Sequence, residues 1–138
     1  MTPNAEFIIG ESKAEGRSLV LTEPISFWGG VDPKTGKIIN VRHPQFGAKI
    51  AQKVLFIPAT VGSSSASTIL LELVHCGKAP AAIVLSEPDA ILLLGLVAAR
   101  EMGWTTPPAL KLPASQHGQF SNADVRIETD GSLHVAQV

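Results

Sequence analysis

Cysteine is almost absent from this sequence of 138 residues, which contains only Cys76. A single thiol cannot form an internal disulfide, so the chain is unlike a small cross-linked secreted domain. A single thiol also cannot hold an iron–sulfur cluster, which needs several thiolates. We expect Cys76 itself to be a small buried hydrophobe at the end of a helix.

An excess of charge and long hydrophobic runs are also missing. The formal net charge is −1, whereas a nucleic-acid-binding domain needs a basic face. The longest apolar run, residues 90–99, is half of the ~20 residues that a membrane-spanning helix needs. Residues 1–10 lack the basic start and apolar centre of a signal peptide. These absences predict a cytoplasmic protein with neither a nucleic-acid nor a membrane partner.

The familiar catalytic motifs are missing as well. No G-x-G-x-x-G or Gly-Lys-Ser/Thr sequence offers a phosphate loop, and the segment after Val61 lacks the second glycine of a nucleophile elbow. No His/Cys pair has zinc-ligand spacing, so we expect no metal site in this chain. His43 and His117 fall in predicted loops, where functional groups collect. For both histidines a structural role and a direct role stay open.

What the sequence does have is enough apolar residues for a folded domain, since 45% are hydrophobic and 17% are charged. A chain of this length is most simply one domain, residues 1–138. Strand-like runs come first, then a β-α-β-α-β pattern, then a hairpin signal at Asp130-Gly131. This order predicts an α/β domain with β/β/α layers and mixed strand directions. We expect strands near residues 5–9, 17–21, 37–41, 53–57, 81–85, 109–112, 125–128 and 133–135.

The predicted helix at residues 89–102 has no polar side chain from position 90 to position 99. Ser86 to Asp89 resemble a capping box with Pro88 in the first turn. A helix that is apolar all round must be buried on most sides. Two interpretations stay open, namely a central core helix and a helix that a partner chain partly covers. We also expect the aromatic side chains of Phe27 and Trp28 to pack in the core, and the alternative is that they face a partner chain.

The most informative stretch is residues 53–67, where a buried strand is followed by Gly62 and three serines. Gly62 allows the chain to bend. Ser63, Ser64 and Ser65 come where the first amides of a helix lack internal partners, and such a helix start favours negative charge. These hydroxyls suit a carboxylate, a phosphate or an alkoxide. The alternative is that the serines only cap the helix, as serines at helix starts often do.

Four segments together resemble the small subunit of aconitase X type dehydratases: residues 24–36 (PISFWGGVDPKTG), 43–47 (HPQFG), 62–67 (GSSSAS) and 78–84 (KAPAAIV) with Glu87. The resemblance implies a swivelling aconitase-like β/β/α domain, with a mixed or barrel-like sheet and flanking helices. It implies a large subunit as partner, which holds an iron–sulfur cluster through its cysteines. Together the two chains would remove water from a small hydroxy acid.

The resemblance also implies roles for the serine stretch. In aconitase-like enzymes the first serine after a glycine on this domain is the catalytic base, acting as an alkoxide, and that position is Ser63 here. Gly62, Ser64 and Ser65 then fall where substrate-binding groups lie. Aconitases proper have an arginine where this chain has Ser65, so that carboxylate clamp is absent.

Two substrates are implied by the family, mevalonate 5-phosphate in archaeal members and cis-3-hydroxy-L-proline in bacterial ones. A phosphate site usually recruits arginine or lysine, and archaeal members tend to carry a basic residue just before the Gly-Ser pair. Residues 58–62 are neutral here, which favours hydroxyproline, with the phosphate ester as the alternative. A non-catalytic anion-binding or regulatory module, or a purely structural subunit, are the alternatives of another class.

Overall fold

The structure is a computed structural model, and it describes residues 3–62 and 64–135. Nine strands occur in these ranges: β1 (Glu6–Ile9), β2 (Ala14–Val20), β3 (Val31–Asp32), β4 (Lys37–Ile38), β5 (Val54–Ile57), β6 (Ala82–Leu85), β7 (Ala109–Lys111), β8 (Asp124–Ile127) and β9 (Leu133–Val135). The helices of the same ranges are a short irregular turn α1 (Phe27–Gly30), α2 (Ala66–His75), α3 (Ala90–Glu101) and two 3-10 turns at Ala114–Gln116 and Gly118–Phe120.

Seven of the described strands form one mixed sheet in the order β1-β7-β6-β5-β2-β8-β9, and β3 and β4 form a separate hairpin. The neighbours β2, β5, β6 and β7 run parallel, whereas β1, β8 and β9 pair antiparallel at the two edges. The edges meet, because Ala5 N donates to Gly131 O at 2.8 Å and Leu133 N donates to Pro3 O at 3.0 Å. The mixed, barrel-like sheet that the sequence predicted is therefore confirmed.

Two hydrophobic cores lie on opposite faces of this curled sheet, and alternate residues of one strand supply both. Leu55 and Ile57 of β5 belong to the core beneath α2 and α3. Val54 and Phe56 belong to the inner core, which includes Phe120 from the loop after β7. Because successive side chains of a strand point to opposite faces, a run of four apolar residues is needed where both faces are covered.

The helices α2 and α3 pack against each other beside the parallel strands. Gly95 allows the closest approach, since a Cβ atom there would overlap Ser67 O in the first turn of α2 and lie 3.2 Å from Leu70 Cβ. Leu70 of α2 and Leu96 of α3 are fully buried in the shared core. The start of α2 is thus fixed by the body of α3.

Helix α3 is not the fully buried core helix of the first interpretation, while partial cover by a partner chain stays a prediction. It buries one face through Leu92, Leu93, Gly95, Leu96 and Ala99. Its other face exposes Ile91, Leu94 and Val97. The helix is thus a core element on one side and an apolar surface on the other.

Two predictions about burial are wrong. Phe27 is 1% exposed, as expected, but Trp28 is 57% exposed, because the backbone at Trp28 is extended (ψ 114°) and sends neighbouring side chains to opposite sides. Cys76 is exposed rather than buried. It follows Glu72 by four residues and so lies on the polar face of α2, where its Sγ is 3.6 Å from Glu72 Oε1.

The predicted element boundaries shift at three places. Strand β2 begins at Ala14 rather than at residue 17, because residues 14–17 pair with β8 while Ser18 onward pairs with β5. Strand β4 ends at Ile38 rather than at residue 41. The helix predicted at 89–102 is confirmed as Ala90–Glu101, but its N-cap is Asp89 and not a capping box begun by Ser86. The terminal hairpin is confirmed in β8 and β9.

Candidate active site

The candidate site lies at the carboxyl ends of β5 and β6. These strands are parallel neighbours, so their carboxyl ends share one edge of the sheet. Residues 58–65 lead from β5 into α2, and residues 86–89 lead from β6 into α3. The amino ends of both helices therefore start at this edge, where open α/β sheets bind ligands and where helix amides favour negative charge.

An open groove of about 540 Å³ separates the two loops. Its described lining includes Thr60 and Gly62 from the first loop, Glu87 and Asp89 from the second, and Ile91 from the first turn of α3. No lysine or arginine occurs among the lining residues that the structure describes. The described walls are thus neutral or acidic, although they start two helices.

Hydrogen bonds fix the backbone of the first loop. Val61 N donates to Ile25 O at 2.9 Å, and Ile25 N donates to Ala59 O at 3.2 Å. On the other side, Thr60 Oγ1 donates to Asp89 Oδ2 at 2.7 Å. The chain just before Gly62 is therefore held from two directions.

Ser64 and Ser65 stand immediately before α2 rather than within its first turn. Ser65 occupies the N-cap position, but among the described residues its side chain makes no capping hydrogen bond. Ser64 is exposed, and its carbonyl accepts from Ser67 Oγ at 3.0 Å. Ser63, the predicted base, lies outside the described residues. The prediction that Gly62, Ser64 and Ser65 bind substrate stays a prediction.

Sequence reasoning missed the importance of Thr60 and Asp89. Asp89 Oδ1 accepts from Leu92 N at 3.0 Å, so Asp89 performs the helix-start role. Glu87 precedes the helix and lines the groove with an exposed side chain. The signal for Asp89 was available, since an aspartate just before an apolar helical run is a typical N-cap.

Both loop histidines have structural contacts. His43 Nε2 lies 3.2 Å from Glu23 O, and His43 Nδ1 accepts from Gln45 N at 3.0 Å. His117 Nε2 lies 2.8 Å from Leu112 O, so it donates to that carbonyl. His117 Nδ1 is buried without a hydrogen-bond partner in the described chain. Burial lowers the pKa of His117, and the bond to Leu112 opposes this only in part.

A second cluster of polar side chains lies in the terminal hairpin. Ser132 Oγ donates to Asp130 Oδ1 at 2.6 Å and lies 3.2 Å from His134 Nε2. The bonds from Ser132 hold the pKa of Asp130 below its ordinary value. The serine proton thus points at the carboxylate and not at the histidine, which is the wrong order for an activated nucleophile.

A second cavity, possible metal sites and possible membrane spans were also considered for the described residues. A cavity of about 490 Å³ lies at the amino ends of the parallel strands, lined in part by Lys13, Gln52 and Thr106. Within residues 3–62 and 64–135, no group of three or more His, Cys, Asp or Glu side chains is placed to hold a metal ion. No helix of the described chain is long and apolar enough to cross a membrane.

Comparison with known proteins decides the family. The sequence profile of the aconitase X swivel domain matches residues 4–135. The chain belongs to the aconitase X swivel domain family. The fold agrees, because the crystal structure of Thermococcus kodakaraensis aconitase X in its holo-form superposes with a TM-score of 0.85 at 29% identity over 99% of each chain. The resemblance drawn from four sequence segments is therefore confirmed.

Two groups of named relatives share this aconitase X swivel domain. The chain is 46% identical over 89 residues to cis-3-hydroxy-L-proline dehydratase of Pseudomonas aeruginosa, which is 64% of this chain and 15% of that protein. It is 41% identical over 92 residues to the phosphomevalonate dehydratase small subunit of Methanothermobacter thermautotrophicus, which is 67% of this chain and 70% of that subunit. The match thus spans a small part of the bacterial dehydratase and most of the archaeal small subunit.

Proposed function

We propose that this aconitase X swivel domain is the small subunit of a hydro-lyase, in which it supplies a serine base to a hydroxy acid held by a large subunit. The observation that carries the proposal is the groove at the starts of α2 and α3, bordered by the Gly62 loop. Membership of the aconitase X family and relatives named as dehydratases support the reaction class.

The proposed base is Ser63, which follows Gly62 in the sequence. A serine hydroxyl is a weak acid, so it can take a proton from substrate only where its negative form is stabilised. The amino ends of α2 and α3 supply partial positive charge for that purpose. The groove is open in this chain, and a partner that covers it would exclude water and strengthen the stabilisation.

We propose cis-3-hydroxy-L-proline as the substrate. The described lining of the groove contains the carboxylates of Glu87 and Asp89 and no basic side chain. Such walls suit a zwitterionic amino acid better than a phosphate ester, because phosphate sites recruit arginine or lysine. The identity of 46% to a dehydratase named for this substrate agrees with the choice.

Dehydration of mevalonate 5-phosphate is the second candidate. The observation that favours it is coverage, since the match spans 70% of a small subunit named for that reaction. In this case the basic groups for the phosphate would have to come from the large subunit.

An iron–sulfur cluster does not fit the residues of this chain. Cys76 is its only cysteine, and Cys76 follows the carboxyl end of α2, ~15 Å along that helix from the groove. We therefore propose that the large subunit holds the cluster, and no step of the chemistry above depends on it.

The test is reconstitution with a cysteine-rich large subunit, followed by an anaerobic assay of both substrates. We expect turnover of cis-3-hydroxy-L-proline only when both chains are present. Turnover of the phosphate ester alone would overturn the substrate choice. If the loaded pair converts neither compound, while the isolated chain binds small carboxylates or phosphate, an anion-binding module replaces the dehydratase.

A further inference from the structure

A side-chain hydrogen bond joins the two loops of the groove, from Thr60 to Asp89 across 29 positions of sequence. The acceptor is held rigidly, because the other oxygen of Asp89 accepts from Leu92 N at the start of α3. Hydrogen bonds to a carboxylate are stronger than those between neutral groups. The bond from Thr60 therefore ties the first loop to the amino end of α3.

The backbone around Thr60 is also held by a second part of the chain. Ala59 O and Val61 N, the groups flanking Thr60, both bond to the main chain of Ile25. The side chain of Thr60 contacts the start of α3, whereas its neighbours contact Ile25. Residues 59–61 therefore cannot shift toward either side without losing a hydrogen bond.

Gly62 follows this anchored stretch. Gly62 is exposed, and a Cβ atom there would meet nothing within 4 Å. Beyond it, the first turn of α2 is fixed by the close approach of Gly95 to Ser67. The described chain is thus anchored before and after position 63 of the sequence, and the anchor before it includes Thr60.

We propose that Thr60 is a positioning residue for Ser63, acting through its hydrogen bond to Asp89. This inference rests on the proposed function of Ser63 as the base. A base must lie within hydrogen-bond reach of the proton it removes, and displacement by about 1 Å can cost about a hundredfold in rate. Loss of the Thr60 bond leaves residues 59–61 held by the bonds to Ile25 alone. The anchor before Ser63 is then looser, so the rate of the chemical step falls more than substrate binding weakens.

The kinetic test uses the reconstituted enzyme with Thr60→Val, which keeps the shape and removes the donor. We expect kcat to fall about 10- to 100-fold, with KM changed less than about threefold. Thr60→Ser, which retains the hydroxyl, should recover most of kcat. Thr129→Val, in an exposed turn of the terminal hairpin, is the matched control and should leave both constants unchanged. A rise in KM alone would mean that Thr60 contacts substrate, which overturns the inference.

A second readout does not depend on activity. Amide hydrogen exchange, followed by NMR on the full chain, reports whether Val61 N stays bonded to Ile25. We expect exchange at Val61 to speed up about tenfold or more in Thr60→Val, while exchange at Leu70 in α2 is unchanged. Unaltered exchange at Val61 overturns the positioning role, whatever the kinetics. If the wild-type pair converts neither substrate but Val61 exchange responds as expected, the proposed function fails while the Thr60 contact is upheld as an anchor of the loop.

Discussion

Two serine-containing segments of this domain differ in exposure and in the hydrogen bonds around them. In the terminal hairpin, Ser132 is buried and bonded to both Asp130 and His134. At the groove, Gly62 lies beside open space, and Ser64 is exposed just before α2. The hairpin has the residue types of a catalytic triad, yet the serine proton is already donated to a carboxylate. The comparison teaches that access and the direction of hydrogen bonds, and not residue types, distinguish a reactive hydroxyl from a structural one.

The largest effect should come from Ser63→Ala in the reconstituted enzyme. Removing a general base costs about 10²- to 10⁴-fold in rate, so we expect kcat to fall by that factor with no change in the melting temperature. The rate of the assembled pair and a circular dichroism melt of the chain measure the two quantities. Turnover at the wild-type rate in this variant would exclude Ser63 as the base.

Ser132→Ala is the matched control, because the comparison predicts the opposite pattern. The variant loses the hydrogen bond of a buried hydroxyl to Asp130, which costs about 1–2 kcal/mol of stability. Turnover should be unchanged. A loss of activity at full stability would place the catalytic serine in the hairpin.

Gly131→Ala tests whether the hairpin turn closes the sheet. Gly131 has φ +88°, and a Cβ atom there would overlap the carbonyl oxygen of Ala5. We expect a loss of about 2–4 kcal/mol in the free energy of unfolding, measured by urea denaturation. Gly103→Ala separates the two causes, since Gly103 has φ +79° but open space around it. That control should lose only about 1–2 kcal/mol, and equal losses would argue against the closure.

Acid should lower the stability of the folded chain through His117, whose ring packs against Phe56 of the inner core. Burial lowers the pKa of His117 in the folded chain, so below its ordinary pKa of about 6.5 the unfolded chain binds more protons than the folded one. The stability that the fold has while His117 is neutral is fully present above that pH and is lost as the pH falls. We expect the melting temperature to drop from pH 7.5 to pH 5, and to drop less in His117→Gln. An equal drop in both proteins would contradict this assignment.

The smallest effect should follow substitution of Cys76, a potential nucleophile at the far end of α2. Its side chain is exposed, and exposed positions usually change stability by less than about 0.5 kcal/mol. Desolvation by its neighbours, and then the bond to Glu72, raise the pKa of the Cys76 thiol. We expect Cys76→Ser to leave turnover and the melting temperature unchanged, which a side-by-side assay with wild type would check.

Much of the fold could be predicted because local sequence and tertiary packing agree there. Strands β5 and β6 are runs of four apolar residues, and their burial on both faces follows from helices on one side and the curled sheet on the other. The Asp130-Gly131 turn predicts its hairpin because few residues adopt a positive φ. The family was predicted from four segments that together resemble the aconitase X small subunit, since no single motif was specific enough.

Most of the errors concern the direction or the hydrogen-bond partner of a single side chain. Phe27 and Trp28 are chemically similar neighbours, but a local extended backbone buries one and exposes the other. The bond between Thr60 and Asp89 joins residues that are 29 positions apart, so no local sequence pattern could predict it. Even the cap of α3 was misplaced by three residues, because Ser86 and Asp89 are both favourable N-cap residues.

The hydrogen bond between Leu133 N and Pro3 O brings the first described residue of the chain beside β9, the last described strand. A domain whose ends are neighbours can be inserted into a longer polypeptide, or cut and rejoined in a new order, without rearranging its sheet. A circular permutant that joins these ends by a short glycine linker and opens the exposed turn between β3 and β4 should therefore fold. Such a permutant would allow the domain to be fused to another chain from a new direction.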